Sequence, residues 1–169
     1  MLYIEMSATY WEHFYKTKPV TVNPSKFAIF VANKLNDKIK SILDLGCGNG
    51  RDSYYLQDYA KVVGVDLASE PPASFNSTFL RMSMEQVTGF YDLIYMRFSL
   101  HSISEDIEEK VFDYAKNNCK YIAIEARSTA DPLSNGMKEN IVKTSYANEH
   151  YRRYINKMEL RNKLEKRGF

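Results

Sequence analysis

The chain has 169 residues, of which 44% are hydrophobic and 26% are charged, and its formal net charge is +2. This size fits one domain, residues 1–169, with a buried core, and so small a net charge does not by itself indicate a nucleic-acid partner. No apolar run approaches the ~20 residues that span a membrane, and two cysteines, Cys47 and Cys119, give no disulfide framework. We therefore expect a cytoplasmic protein without a membrane partner.

The chain opens with an aromatic segment, residues 1–23, in which positions 10–15 read YWEHFY. A surface helix that packs its aromatic side on the core is one interpretation of this segment. Pro24 and Ser25 then open a second predicted helix, which should cover one face of a sheet. Its apolar residues at helical spacing are Phe27, Phe30, Val31 and Leu35.

Five later segments have the length and the Val, Ile and Leu content of strands that are buried on both faces. They run over residues 41–45, 61–66, 78–82, 92–96 and 121–126. Helical segments separate them, which is typical of an α/β fold with a doubly wound, mostly parallel sheet.

The segments that connect the strands are predicted to be loops and helices. Residues 69–77 contain two prolines and should form a short irregular loop. The sequence SISE at 102–105 is typical of a capping box before a crossover helix. Residues 127–155 should form a loop and a helix on the substrate side of the sheet, and Asn156 can cap a last helix.

The most informative motif follows the first strand, where residues 44–53 read DLGCGNGRDS. Glycines at 46, 48 and 50 can adopt positive φ and let a ligand approach the main chain. A dinucleotide fingerprint, G-x-G-x-x-G, needs a glycine where this chain has Arg51. The carboxylate of Asp44 would repel a pyrophosphate but attract an ammonium or sulfonium group, so the motif favours a zwitterionic, cationic cofactor over NAD.

This motif resembles motif I of the class I S-adenosylmethionine (SAM)-dependent methyltransferases, and the resemblance covers residues 8–127. It implies a Rossmann-like sheet with strand order 3-2-1-4-5 and helices on both faces. It also implies SAM as cofactor and S-adenosylhomocysteine (SAH) as product. Family members usually continue past a Gly-Phe pair like Gly168-Phe169 into an antiparallel hairpin, and this sequence stops there. Either the sequence is truncated or the sheet ends at the fifth strand, in which case its edge has unpaired groups that invite a homodimer.

The resemblance also assigns the cofactor site. Asp66 ends the second strand twenty residues after Gly46, where a carboxylate can accept both ribose hydroxyls. Many members fold an aromatic segment over the cofactor as a lid, and aromatic faces suit a sulfonium. The expected cofactor-binding residues are Tyr10, Trp11, Asp44, Gly46, Cys47, Gly48, Asn49, Gly50, Arg51, Asp66, Leu67, Ser83, Met84, Arg97 and Phe98.

Two residues are candidates for removing a proton from the methyl acceptor. His101 titrates near neutrality when unperturbed and is a candidate general base, although a histidine that packs at the next helix explains it equally well. Tyr15 is the second candidate. No metal-ligand set is expected.

Charged and aromatic residues late in the chain are candidates for binding the acceptor. Glu125 and Arg127 follow the fifth strand, where they could recognise a polar or anionic acceptor or pair with each other. His150, Arg153 and Tyr154 should share one side of a helix that faces the acceptor.

The function that we expect is SAM-dependent methyl transfer to an O or N atom of a small molecule, such as a surface-polysaccharide precursor or a related metabolite. The motifs of base-amine and cytosine-C5 methyltransferases are absent after the fourth strand, so nucleic acid is a disfavoured acceptor. Three alternatives stay open: a non-catalytic SAM-binding partner subunit, an RNA methyltransferase that uses the basic C-terminal residues, and a nicotinamide oxidoreductase.

Overall fold

The computed structural model describes residues 2–17, 23–68, 78–144 and 147–169. Its centre is a five-stranded parallel sheet with the order β3-β2-β1-β4-β5, as predicted. The strands are β1 (Ser41–Leu45), β2 (Lys61–Asp66), β3 (Thr78–Arg81), β4 (Tyr91–Arg97) and β5 (Cys119–Glu125). The loop predicted over residues 69–77 lies outside the described residues.

Helices cover both faces of this sheet, which confirms the doubly wound α/β fold. They are α1 (Leu2–Thr17), α2 (Lys26–Ala32), α3 (Arg51–Leu56), α4 (Glu105–Asn118) and α5 (Lys157–Glu165). Successive strand residues point to opposite faces, so Ile42 packs in the α2 and α3 layer, whereas Leu43 packs with Val111 and Phe112 of α4.

The central strands read as apolar runs because they are covered on both sides. In the register, Leu43 of β1 lies between Val63 of β2 and Ile94 of β4, and all three side chains are buried. This register brings the carboxyl ends of β1, β2 and β4 to one edge, and the point where the strand order reverses lies between β1 and β4.

The predicted cap at Asn156 is confirmed, and the helix predicted after Pro24 has Ser25 as its N-cap. The hydroxyl oxygen of Ser25 accepts a hydrogen bond from the N–H of Ala28 at the start of α2, and Asn156 caps α5 in the same way. The predicted capping box at 102–105 is wrong. Ser102 ends a short 3-10 helix, Leu100–Ser102, and Ser104 caps α4 by accepting from the N–H of Ile107.

The helix predicted around residues 150–154 is also wrong. Strands β6 (Glu139–Thr144) and β7 (Ala147–Arg153) form a separate antiparallel sheet in this region. A strand cannot place residues 150, 153 and 154 along one helical side. The sequence of β7 is polar and lacks alternating apolar residues, so it carries no strand signal. Among the described strands, β5 is an edge of the main sheet.

The aromatic N-terminal segment folds as α1, which lies against β7 and beside the glycine-rich turn after β1. Residues 1 and 18–22 of that segment lie outside the described residues. None of the described helices combines the length and apolar character needed to cross a membrane.

Candidate functional site

The glycine-rich turn between β1 and α3 is held against β2. The N–H groups of Gly46 and Cys47 both donate to the carbonyl oxygen of Val65, at 2.7 and 3.1 Å. Gly46 and Gly48 have φ angles of 76° and 57°. A Cβ on Gly46 would overlap the side chain of Ser99. The turn therefore brings bare main chain to the reversal point, as the motif predicted.

Small groups are needed elsewhere in this turn as well. The Sγ of Cys47 packs against Gly64 of β2, and a Cβ on Gly64 would come within 2.9 Å of it. Asn49 uses its Oδ1 to accept from the N–H of Arg51 at 3.4 Å, and Gly50 begins α3 with a φ of 75°. These residues shape the turn that the sequence assigned to the cofactor.

Asp66 lies at the end of β2 and faces the turn. Its Oδ2 accepts from the N–H of Gly48 at 2.9 Å, and its Oδ1 accepts from the N–H of Ala68 at 2.7 Å. A carboxylate has about four lone-pair positions, and hydroxyl groups are suitable hydrogen-bond donors to it. Asp66 therefore both fixes the turn and offers oxygens beside it.

Asp44, at the end of β1, is 2% exposed, and its Oδ2 accepts a hydrogen bond from the hydroxyl of Ser53. Burial raises the pKa of its carboxyl from 3.8 to about 7. The hydrogen bond from Ser53 opposes this rise, and the neighbouring carboxylates of Asp52 and Asp66 add to it. A cation bound nearby would stabilise the ionised form of Asp44.

The residues expected around an adenine lie after β2 and β3 at the same sheet edge. Leu67 is exposed, Met84 packs against the core, and the hydroxyl of Ser83 donates to the Glu85 carboxylate. Arg81, at the end of β3, donates to the carbonyl oxygen of Leu67 and pairs with Glu12 of α1 at 2.7 Å. This ion pair connects α1 to the sheet edge.

Asp52 has a buried carboxylate with several hydrogen-bond partners, and the sequence alone did not identify it. Its carboxylate accepts from the N–H and the hydroxyl of Ser25, both at 2.8 Å, and from the hydroxyl of Tyr95 at 2.9 Å. The Nε atoms of Arg51 and Arg97 lie 3.4 and 3.8 Å from its oxygens. Its hydrogen-bond partners, Ser25 and Tyr95, are far away in the sequence, so the only local signal was an acid beside the glycine motif.

The end of β4 displays Phe98, whose φ of 55° is unusual for a residue with a side chain. Arg97 stacks on the Phe98 ring, with its Cζ 4.5 Å from the centroid, and the Cζ of Arg127 lies 6.0 Å from the same centroid. The Nε of Arg97 is 2.8 Å from the Oε2 of Glu125 at the end of β5. The structure therefore brings four predicted residues together beside the reversal point: Arg97, Phe98, Glu125 and Arg127.

The two candidate bases have different surroundings. His101 is 3% exposed, and its Nδ1 accepts from the main-chain N–H of Arg127 at 3.3 Å. The phenol of Tyr15 lies against Gly48 of the turn. Burial raises the pKa of Tyr15, and the nearby carboxylate of Asp66 raises it further. Tyr15 therefore stays protonated at neutral pH.

The aromatic residues of α1 form one cluster with Tyr15. Tyr10 is buried, and its ring meets that of Trp11 edge-on at 4.9 Å. The Trp11 ring lies 6.1 Å from that of Tyr15. The cluster therefore extends from beneath α1 to the glycine-rich turn.

Two residues that were assigned to the acceptor instead hold the base of the β6–β7 hairpin. Arg153 is 5% exposed, pairs with the buried Glu108 and donates to the carbonyl oxygen of Leu100 at 3.2 Å. The hydroxyl of Tyr154 donates to the carbonyl oxygen of Leu133 at 2.9 Å. The structure does not bring either residue into the group around Phe98, and the side chain of His150 lies outside the described residues.

Several buried polar atoms of the described residues have no hydrogen-bond partner, and they concentrate at this edge. Those near the reversal point are Ser99 Oγ, Arg51 Nε, Arg97 Nε and Glu125 Oε2. The last two are in ion contact with each other but do not meet hydrogen-bond geometry. Such atoms fit a ligand that completes their hydrogen bonds.

A family model described as a methyltransferase domain matches residues 21–169. The sequence matches no curated protein.

Several solved structures share the fold. The DhpI-SAM-HEP complex is 14% identical, with a TM-score of 0.69 over 98% of this chain and 89% of that chain. The glycopeptide N-methyltransferase MtfA in complex with SAM is 12% identical, with a TM-score of 0.60 over 89% and 88%. The Burkholderia thailandensis 1,6-didemethyltoxoflavin-N1-methyltransferase, with 1,6-didemethyltoxoflavin and SAH bound, is 18% identical, with a TM-score of 0.60 over 85% and 68%. At these identities the likeness establishes a shared fold.

Proposed function

The chain belongs to the methyltransferase domain family, and from this premise we propose that it transfers the methyl group of SAM to an O or N atom of a small molecule. The observation that carries the proposal is the glycine-rich turn, whose main chain is bare at Gly46 and Gly48 and is flanked by the carboxyl groups of Asp44 and Asp66. The unpartnered buried atoms beside it fit the same ligand.

The described residues suggest how the cofactor would be held. Asp66 would accept the ribose hydroxyls, with Leu67, Ser83 and Met84 around the adenine. Arg51 would bind the methionyl carboxylate, and Arg97 with Phe98 would lie near the sulfur. Helix α1 would cover the site as a lid, since the phenol of Tyr15 lies against the turn.

SAM supplies an electrophilic methyl group on a positively charged sulfur. We propose an in-line displacement in which an acceptor atom attacks this methyl group, with no covalent enzyme intermediate. The protein contributes mainly by aligning the two reactants and by excluding water beneath α1.

The acceptor would be a small molecule, such as a surface-polysaccharide precursor or a related metabolite. Two methyltransferases have similar folds: MtfA acts on a glycopeptide, and the Burkholderia thailandensis enzyme acts on 1,6-didemethyltoxoflavin. RNA is less favoured, because basic residues near the end of the chain are engaged by acids: Lys163 pairs with Glu108 and Glu109, and Arg167 pairs with Glu109.

We also propose a homodimer and a cytoplasmic location. Among the described strands β5 forms an edge of the main sheet, and such an edge would support a homodimer, because an edge strand presents unpaired N–H and C=O groups. The free cysteines, Cys47 and Cys119, fit a reducing cytoplasm.

Isothermal titration calorimetry with SAM, SAH and NADH tests the cofactor assignment. We expect binding of SAM and SAH but not of NADH; folded protein that binds neither SAM nor SAH contradicts the proposal. A screen of sugar nucleotides and small phosphorylated acceptors, with methylated product detected by mass spectrometry, separates an enzyme from a non-catalytic subunit.

A further inference from the structure

The group around Phe98 presents two guanidinium groups to one aromatic ring. The Cζ atoms of Arg97 and Arg127 lie 4.5 and 6.0 Å from its centroid, and Phe98 is 39% exposed. Its positive φ is a costly conformation for a phenylalanine, and such backbone conformations cluster at functional sites. The ring and both cations are therefore displayed together at the end of β4.

Acidic residues orient these two arginines without using all of their donors. Arg97 meets Asp52 and Glu125 through its Nε, and Arg127 meets Asp131 through its Nη1 at 2.7 Å. A guanidinium has five N–H donors in a fixed fork, so each arginine has donors beyond these contacts. Oxyanions such as carboxylate and phosphate can accept two hydrogen bonds from this fork.

Neither candidate base is arranged to take a proton. The main-chain N–H of Arg127 donates to the Nδ1 of His101, so the proton of the neutral imidazole lies on Nε2. That tautomer presents His101 as a hydrogen-bond donor on its other nitrogen. Tyr15 is a half-buried phenol whose pKa is raised first by desolvation and then by the nearby carboxylate of Asp66, so it stays neutral. Glu125 is held in its ion pair with Arg97.

We propose that the atom that accepts the methyl group is an oxygen of a carboxylate or phosphate group, bound between Arg97 and Arg127 and beside the Phe98 ring. This inference rests on the proposed methyl transfer. A lone pair of the oxyanion forms the new O–CH₃ bond, the S–CH₃ bond breaks, and its electron pair goes to sulfur. The products are a methyl ester and neutral SAH, and no proton has to be removed.

Binding of aromatic probes to the SAH-saturated protein tests this proposal. The probes are benzoate, phenyl phosphate and the neutral benzyl alcohol, titrated into wild-type protein and into two variants. R127Q removes one proposed anion ligand, whereas R161Q is a matched control because Arg161 is exposed on α5 and pairs with Glu165. Thermal unfolding checks that both variants are folded.

We expect at least one anionic probe to bind at least about tenfold more tightly than benzyl alcohol, as one charge-assisted hydrogen bond would give. R127Q should lose that preference and R161Q should keep it. Whether benzoate or phenyl phosphate binds identifies the oxyanion. Anionic probes that bind no better than benzyl alcohol, or equally well to R127Q, overturn the inference. The SAH titration that precedes these measurements judges the proposed function separately.

Discussion

Tyr95 and Asp52 are joined by a buried hydrogen bond of 2.9 Å, although they lie 43 residues apart in the sequence. Tyr95 lies in β4, and Asp52 lies in the first turn of α3. The same carboxylate accepts two hydrogen bonds from Ser25 at the start of α2. One buried acid therefore ties the glycine-rich turn to the strand that ends at Arg97 and Phe98.

The first prediction concerns this hydrogen bond. Tyr95→Phe removes one hydroxyl donor from a buried carboxylate, and a hydrogen bond to a charged group contributes about 1.5–3 kcal/mol. We expect the free energy of unfolding, measured by urea denaturation, to fall by about that amount. Tyr59→Phe is the matched control, because the hydroxyl of Tyr59 pairs with that of Tyr55 at an exposed site. Equal losses of unfolding free energy in the two variants would show that the hydrogen bond to Asp52 stabilises the protein no more than the exposed one.

The second prediction concerns Asp66. Asp66→Ala removes the proposed ribose ligand and the acceptor for the N–H of Gly48, so SAH affinity should fall at least about a hundredfold, as the loss of two hydrogen bonds to a charged group implies. Calorimetry measures the loss, and Asp58→Ala, at an exposed acid after α3, serves as control. Wild-type affinity in the Asp66 variant would refute the assigned role.

The turn could be predicted from sequence because its determinants are local. Three glycines and Asp44 lie within seven residues, and Asp66 follows in the next strand, so the strand pattern alone brings them to one edge. The strand order followed from the resemblance. These features do not depend on how distant side chains meet.

Asp52 and the β6–β7 hairpin could not be predicted in this way. The role of Asp52 depends on Ser25 and Tyr95, which only the folded packing of α2, α3 and β4 brings close. Strand β7 is mostly polar, and the apolar residues of β6, Ile141 and Val142, are adjacent, so the hairpin leaves no apolar alternation in the sequence. Arg153 was predicted to bind the acceptor, because its ion pair with Glu108 of α4 joins residues that are far apart in the sequence.

The third prediction is a pH dependence that arises from Asp44, whose pKa is about 7 in the folded protein. A cationic cofactor stabilises the ionised carboxylate, so SAM affinity should rise as pH increases from about 5.5 to 7.5 and approach a plateau above the pKa. Calorimetry across this range measures the effect. Asp44→Asn should remove most of the slope, and an unchanged slope in that variant would assign the effect to another group.

The same pKa shift predicts the pH dependence of stability. The folded protein holds the Asp44 proton more tightly than the unfolded chain, whose pKa is near 3.8. Between about pH 4 and 7 the folded state therefore binds more protons, and the contribution of Asp44 to stability is lost as pH rises through this window. Asp44→Asn should be relatively more stable than wild type at pH 8 than at pH 4.5, as urea denaturation at the two pH values would show.

The last prediction concerns the tautomer of His101. Since the N–H of Arg127 donates to Nδ1, the neutral imidazole should carry its proton on Nε2. Long-range ¹H–¹⁵N NMR correlations distinguish the two ring nitrogens, and above neutral pH we expect a single tautomer for His101. His13 is the internal control, because it is exposed on α1 and should exchange between tautomers. A proton on Nδ1 of His101 would leave Nε2 able to accept one, and His101 would again be a candidate general base. The Nε2–H tautomer instead leaves this histidine able only to donate a hydrogen bond. That suits an acceptor that arrives already ionised, because such an acceptor needs no general base.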